Sequence, residues 1–282
     1  MGGRGLTNKD KWLTEEHTSG YHVSWRVLRT FHKETTPYQE LEIVELADFG
    51  KALILDNVVQ TTVRDEFFYH EMIAHVPLCT HANPRQVLVI GGGDGGTVKE
   101  ILKHKCVEKI VLVEIDGAVV EASCRFLPEI SFALNDPRVE VIIDDGIKYI
   151  NKVQHEFDVI IIDSSDPVGP AENLFGRDFY ANVGQALKND GLMVAQTESP
   201  TFNAELLHTV NSHLHGLFPI VKTYLSVVPT YIGGFWTFTL ASKQYNPLTP
   251  SRSFLDFETR YYTTEIHQAA FVLPKFVEEI IR

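Results

Sequence analysis

The rhythm of apolar and polar positions changes several times along this chain. Residues 1–17 are mostly polar, with Trp12 as the main anchor, and predict a loose arm that docks on the body or packs across a subunit boundary. From Tyr21 to Thr62 short runs alternate: Val23, Trp25 and Val27, then Leu41, Ile43 and Val44 among Glu40, Glu42 and Glu45, then residues 52–55 and 58–61. A period of two predicts half-buried strands. This stretch therefore reads as a small antiparallel domain of roughly six strands, suited to cover one side of a site or to make a subunit interface. Residues 65–77 predict a helix, with Asp65 and Glu66 placing negative charge at its start and Pro77 marking its end. The pattern then becomes strand and helix in turn. β-branched apolar runs predict strands over 86–90, 109–113, 139–143, 157–162, 192–196, 221–228 and 236–241. Between and after them lie helical patterns over 97–104, 117–126, 147–152, 175–187, 203–217 and 264–270. Asn189-Asp190-Gly191 ends the helix over 175–187, and an amphipathic stretch over 271–281 is expected to pack on the sheet. The organisation is thus a small β domain over 1–64 followed by an α/β domain over 65–282.

The most informative stretch runs from Gln86 to Asp116. A buried strand leads into Gly91-Gly92-Gly93-Asp94-Gly95-Gly96, a helix follows, and a second buried strand ends in Glu114-Ile115-Asp116. Strand, glycine turn, helix, strand and terminal acid make the nucleoside-binding half of a Rossmann-like, doubly wound sheet. The loop lacks the GxGxxG order, and Asp94 within it repels phosphate. A cationic or neutral nucleoside fits better. Glu114 can accept from two ribose hydroxyls, and the acids of Asp144-Asp145-Gly146 leave the next strand on the ligand side of the sheet, where a carboxylate can accept from an adenine amino group. The strand over 157–162 runs into Asp163-Ser164-Ser165-Asp166-Pro167-Val168-Gly169-Pro170. Two acids three apart can bind a divalent cation, act as a glycosidase acid and base, or hold and deprotonate an amine. The nucleoside loop favours the amine. Glu198 is a further acid at a strand end, and the glycines after Tyr231 allow close approach of a ligand. Tyr69 and His70 lie on the connecting helix, where a cleft-lining and a merely structural role weigh equally.

Composition narrows the chemistry. The 282 residues are 44% hydrophobic and 22% charged, the mix of a soluble globular protein. No uninterrupted apolar run reaches membrane-spanning length, and no basic-then-apolar leader opens the chain, so a cytoplasmic location is the default. The formal net charge of −12 argues against a nucleic-acid partner. Cys79, Cys106 and Cys124 show no paired ligand spacing, and His208, His213 and His215 fall in no metal motif, so capping or solvated roles are expected for these histidines. No metal is expected. The acids Asp94, Glu114, Asp145, Asp163, Asp166 and Glu198 all fall on the ligand side. Such a wall repels the carboxylate of S-adenosylmethionine and suits its decarboxylated form, with an ammonium and a sulfonium, opposite a cationic polyamine.

These motifs identify a resemblance. Asp65 to Met72, Gly91 to Gly96, Asp163 to Pro170 with Leu174-Phe175, and Gln196 to Ser199 together follow the pattern of the spermidine synthases within the polyamine synthase family, from about Trp12 to the C-terminus. Pro274-Lys275-Phe276-Val277 looks like the bacterial members. The resemblance implies a methyltransferase-like Rossmann fold and aminopropyl transfer from decarboxylated S-adenosylmethionine to putrescine, with no prosthetic group. It implies that Gln39, His70, Asp94, Glu114, Asp145 and Gly146 bind the cosubstrate, with Pro170 against adenine. Tyr69, Asp163, Asp166 and Tyr231 would hold putrescine, with Glu198 near its far amine and Asp163 as proton acceptor. A homodimer or homotetramer is expected. Asn57 stands where the family usually has glycine, a turn change without chemical weight. Ile232-Gly233 replaces the usual Pro-Ser beside Tyr231, which leaves acceptor choice open among putrescine, agmatine, cadaverine and spermidine. The other readings are a polyamine N-methyltransferase, against which Asp94 argues, and a regulatory polyamine- or nucleoside-binding module, against which the Asp163 and Asp166 pair argues.

Overall fold

The computed structural model describes residues 11–165, 173–252 and 255–282. Two sheets organise them. The first is five-stranded and antiparallel, in the order β1 (Lys11–Thr18), β2 (Tyr21–Thr35), β3 (Glu40–Leu46), β4 (Gly50–Leu55) and β5 (Val58–Thr62). One face buries Val27, Val44, Leu46, Ala52, Ile54 and Val59. The other packs Leu41, Ile43 and Leu53 against Val119, Ala122 and Leu127 of the second domain. Two expectations change here. The N-terminal arm is an edge strand from Lys11 onward, and it reads as polar because an edge strand has little core to bury. Trp12 is 41% exposed, while Glu15 is buried and accepts from Trp25 Nε1 at 3.0 Å. The stretch from Tyr21 to Thr62 holds four strands rather than roughly six, β2 being one continuous 15-residue strand, and β1 precedes it.

The connecting helix α1 (Phe67–Thr80) is buried at every residue except Phe68. It does not stop at Pro77. That proline sits in the last turn and withholds an N–H from the helix ladder. The turn is closed instead by the Thr80 hydroxyl donating to the Val76 carbonyl at 2.8 Å and by the His81 N–H donating to Pro77 O at 3.1 Å. Burial on all sides outweighs the local signal for a stop.

The second sheet has seven strands. Chain order gives β6 (Gln86–Gly91), β7 (Lys109–Glu114), β8 (Val139–Ile143), β9 (Phe157–Asp163), β10 (Leu187–Gln196), β11 (Ile220–Val227) and β12 (Phe235–Ser242), and spatial order is β11-β12-β10-β9-β6-β7-β8. The five strands from β8 to β10 in this spatial order run parallel, and β12 pairs antiparallel with both β10 and β11. Alternate residues of each central strand enter opposite cores. Val87, Val89, Val159 and Ile161 face one; Leu88, Ile90, Ile160 and Ile162 face the other. Burial on both faces explains the unbroken apolar runs of these strands. The helices are α2 (Gly96–Leu102), α3 (Gly117–Phe126), α4 (Pro128–Ser131), α5 (Gly146–Ile150), α6 (Arg177–Ala186), α7 (Ala204–His215), α8 (Thr264–Ala270) and α9 (Lys275–Ile280). Asn189-Asp190-Gly191, expected as a turn after α6, lies within β10, whose register against β9 shifts between Leu187 and Leu192. The C-terminal amphipathic stretch divides: Phe271 packs on the sheet, its ring 5.2 Å from that of Tyr224 in β11, while α9 packs on α7, with His208 Nδ1 bonded to the Ile280 carbonyl at 2.8 Å. The topological switch falls between β6 and β9, because the chain winds one way through β7 and β8 and the other through β10. Ligands bind at the carboxyl ends of strands flanking such a point.

Candidate active site

At that switch point Gly91 pairs directly with Asp163 across β6 and β9. Gly91 has φ 81° and Gly92 φ 69°. A Cβ on Gly91 would overlap the Asp163 carbonyl, and one on Gly92 would lie 2.6 Å from Asp163 Oδ2. These glycines let the loop fold onto the carboxylate, a contact no side chain would permit. Gly93 lies against Glu114 in the same way, and Gly96 lies flat against the His70 imidazole. The loop is thus a packing surface for three of the predicted site residues.

Asp163 is held by two hydroxyls. Tyr69 donates to Oδ1 at 2.7 Å and Thr97 to Oδ2 at 2.6 Å. Burial pushes the Asp163 carboxyl above its ordinary range; the His70 charge and the two hydroxyls oppose this, and Asp94 adds to it. Burial and Asp163 in turn push the Tyr69 phenol well above its usual range, so it stays a donor. Asp94 is buried in the glycine loop. It accepts from the Gly96 N–H at 2.8 Å and lies 3.5 Å from His70 Nε2, an ion-pair distance rather than a tight hydrogen bond. Burial works against its charge, but His70 holds the Asp94 carboxyl below the usual carboxylate range. Glu114 ends β7 and accepts from the backbone N–H groups of Gly93 at 3.2 Å and Asp116 at 3.0 Å. Burial lifts its carboxyl to about 7.

The remaining predicted cosubstrate residues fall around the same strand ends. Asp145 caps α5 by accepting from Ile147 N at 2.9 Å. Gly146 is buried against Ile90, and a Cβ there would overlap the Ile90 side chain. Gln39 crosses from the small domain and donates to Asp116 Oδ2 at 2.9 Å, beside Thr36, which donates to the same oxygen at 2.7 Å. Asp166 and Pro170 lie outside the described residues.

On the far side of Asp163 a cavity of about 210 Å³ is lined by Tyr69, Gln196, Glu198 and Tyr231 together with Glu15 and Gln60 of the small domain. The Tyr231 hydroxyl donates to the Gln60 carbonyl at 2.7 Å, and its ring meets Tyr69 edge-on at 5.7 Å. Tyr21, just past the β1–β2 turn, stacks on Phe202 at 5.5 Å. The small domain therefore walls this side of the cleft. Glu198 is buried with φ 66°, a left-handed conformation that is strained for a side-chain-bearing residue. Gln196 fixes it from both sides, donating to Glu198 Oε1 at 2.9 Å and accepting from its N–H at 3.0 Å. Gln196 also donates to the Ser164 carbonyl at 3.1 Å and so ties Glu198 to the Asp163 loop. Thr97 and Gln196 carry no titratable group, and the sequence reading assigned neither a role. The signals in the sequence are Thr97's position one residue after the glycine loop and Gln196's place at a strand end, at the head of the Gln196 to Ser199 motif.

Among the described residues, the group with metal-type ligand spacing is His81, Asp158 and Asp190, whose ligand atoms lie within 4.8 Å of one another. It sits at the opposite end of β9. His81 Nδ1 accepts from the Asn83 N–H at 3.1 Å and Lys188 Nζ lies 2.9 Å from Asp158 Oδ1, while His81 Nε2 makes no hydrogen bond and lies 3.8 Å from Asp190 Oδ2. His208 and His215 bond to backbone carbonyls at 2.8 and 2.9 Å, as capping groups do.

Comparison with known proteins bears on this geometry. A family model described as the spermine/spermidine synthase domain matches residues 66–251, and one described as the spermidine synthase tetramerisation domain matches residues 11–63. The polyamine aminopropyltransferase of Bacillus subtilis is 53% identical over 272 residues, covering 96% of this chain and 99% of its own. That of Moorella thermoacetica is 54% identical over 271 residues, covering 96% of each. A solved spermidine synthase in complex with the transition state analogue AdoDATO superposes with a TM-score of 0.94 at 40% identity, covering 99% of this chain and 98% of its own. The spermidine synthase from Thermotoga maritima superposes at 0.93 and 40% identity, covering 99% and 97%.

Proposed function

The chain belongs to the spermine/spermidine synthase family, and from that premise we propose that its acidic cleft makes spermidine, with putrescine as acceptor and Asp163 as general base. The enzyme is an aminopropyltransferase that uses decarboxylated S-adenosylmethionine and no prosthetic group. The observation that carries the site assignment is the pairing of Gly91 with Asp163, which sets a buried carboxylate against the nucleoside loop at the switch point. In this reading Glu114, Asp145, Gly146 and Gln39 face the nucleoside end, with His70 and Asp94 at the aminopropyl arm. Asp163, Tyr69, Tyr231 and Glu198 face the diamine. Asp166 and Pro170 are assigned from the family pattern alone.

The chemistry follows from charge. An ammonium cannot attack, so the diamine must lose a proton first. Asp163, with its carboxyl raised by burial, accepts that proton directly or through water. The nitrogen lone pair then bonds to the aminopropyl carbon next to sulfur. The carbon–sulfur bond breaks, its electron pair goes to sulfur, and neutral methylthioadenosine leaves. Sulfonium is already a good leaving group, so alignment supplies much of the rate. We further assign the chain to two units, 1–64 and 65–282, to a homodimer or homotetramer, and to the cytoplasm. Among the described residues no helix is long and apolar enough to cross a membrane.

A competition assay tests the acceptor. Equimolar putrescine, cadaverine, agmatine and spermidine are offered with decarboxylated S-adenosylmethionine, and products are resolved by mass. Spermidine formed from putrescine should dominate. A higher kcat/KM with any other amine would reassign the acceptor. Methyl transfer from ordinary S-adenosylmethionine at an equal rate would overturn the proposal.

A further inference from the structure

Behind His70 lies a set of charged groups that the reaction as described does not use. Glu66 and His70 are one helical turn apart at the start of α1, and Glu66 Oε2 lies 2.7 Å from His70 Nδ1. The other Glu66 oxygen lies 2.6 Å from Lys99 Nζ on α2. His70 Nε2 faces the other way, 3.5 Å from Asp94 Oδ2. The imidazole is thus gripped between two carboxylates, one at each ring nitrogen, and Gly96 leaves just enough room for it. Glu66 and His70 are both buried, at 7% and 3% exposure.

A neutral imidazole has one N–H and one lone pair. Against two carboxylates, its lone pair would face an anion across a low-dielectric gap. The ring satisfies both neighbours only when both nitrogens carry protons. We propose that Glu66 is a positioning residue that keeps His70 as a doubly protonated cation beside Asp94, with Lys99 as the counter-ion that keeps Glu66 itself charged. The groups facing His70 are Glu66 and Tyr69 from α1, Asp94 from the glycine loop and Asp163 from β9, with Lys99 of α2 behind Glu66. Burial lowers the His70 value, but Asp94 and Glu66 together raise it to about 10. Burial likewise opposes the Glu66 charge, which His70 and Lys99 restore below the ordinary range.

The consequence reaches the proposed base. His70 is the largest influence holding Asp163 down against burial. Without the cation, Asp163 would hold its proton to higher pH and accept one from the diamine only above that pH. Asp94 would lose its nearest positive charge at the same time. A single carboxylate behind the site therefore sets the charge state of both acids in front of it. This catalytic consequence rests on the aminopropyltransferase reading, whereas the protonation of His70 does not.

Glu66→Gln isolates the charge, because the amide oxygen can still accept from Nδ1–H. Glu66→Asp keeps the charge on a shorter arm. Ring-nitrogen NMR of His70 in substrate-free protein reads the protonation directly. Wild type should hold both protons at pH 8; Glu66→Gln should be neutral there, and Glu66→Asp should recover the cation in part. In kinetics, Glu66→Gln should move the acid limb of kcat to higher pH and lower kcat/KM for the cosubstrate by about 10- to 100-fold, the worth of one charge-assisted bond. A neutral His70 in the wild type overturns the proposal, and this result needs no variant to fold. So does a Glu66→Gln protein that keeps the imidazolium, or one that loses it while the acid limb stays in place. Should the aminopropyltransferase reading itself fail, the NMR result would stand unchanged.

Discussion

Replacing Thr97 with valine tests whether the Asp163 carboxylate is held by the groups seen around it. Thr97 is fully buried, and its hydroxyl donates to Asp163 Oδ2 at 2.6 Å. Valine keeps the shape and removes the donor. A hydrogen bond to a charged group is worth roughly 1.5–3 kcal/mol, and one pKa unit corresponds to about 1.36 kcal/mol. The Asp163 carboxyl, already raised by burial, should therefore rise by a further one to two units, roughly. Only the ionised form accepts a proton. The acid limb of the single-turnover rate, measured at saturating diamine, should shift to higher pH by about the same amount, with the alkaline plateau largely kept. The diamine's own titration is common to both proteins, so the difference between the curves belongs to the enzyme. Tyr69→Phe should move the limb in the same direction, since its hydroxyl holds Oδ1 at 2.7 Å. A Thr97→Val enzyme whose acid limb overlays the wild type, with only the plateau lowered, would refute the reasoning.

Other expectations follow from buried carboxylates away from the reacting atoms. The Glu114 carboxyl is lifted to about 7 by burial. Folding thus favours its protonated form, and its stabilising contribution, complete below the unfolded value, is lost as pH rises through about 7. Glu114→Gln should stabilise the protein at pH 8 by up to about 3 kcal/mol, flatten the pH dependence in urea unfolding, and raise KM for the cosubstrate; an unchanged pH dependence would contradict the assignment. Glu71 accepts from the N–H groups of Arg260, Tyr261 and Tyr262, each at 2.8 Å, and anchors the C-terminal segment to α1. Glu71→Gln should cost roughly 1.5–3 kcal/mol in urea unfolding while the activity of the folded fraction stays near wild type.

Much of this was legible because the central strands are buried on both faces. Their apolar runs and the acids that end them mark the sheet and its ligand edge without any knowledge of the partners. The glycine loop is legible for a similar reason: Gly91 and Gly92 occur where the backbone must turn left-handed and meet Asp163. Features set by distant contacts were not legible. Pro77 looks like a stop, yet packing carries α1 on to Thr80. The polar Lys11–Thr18 run looks like an arm, yet pairing with β2 makes it a strand. Thr97 and Gln196 look neutral, and they matter only because folding brings them to Asp163 and Glu198. Glu66 looks like a helix-start acid, the role its position suggests; His70 lies one helical turn on, but the contact with Lys99 depends on how α1 meets α2.

The most direct measurement is the single-turnover rate of Asp163→Asn at saturating putrescine and decarboxylated S-adenosylmethionine, with spermidine and methylthioadenosine quantified by mass. Asparagine preserves the shape of the site and removes the base. The account predicts a folded protein whose chemical step is slower by roughly 10²–10⁴, with spermidine still the product. Near wild-type chemistry in Asp163→Asn would contradict it, leaving that carboxylate as a positioning group and water as the proton acceptor.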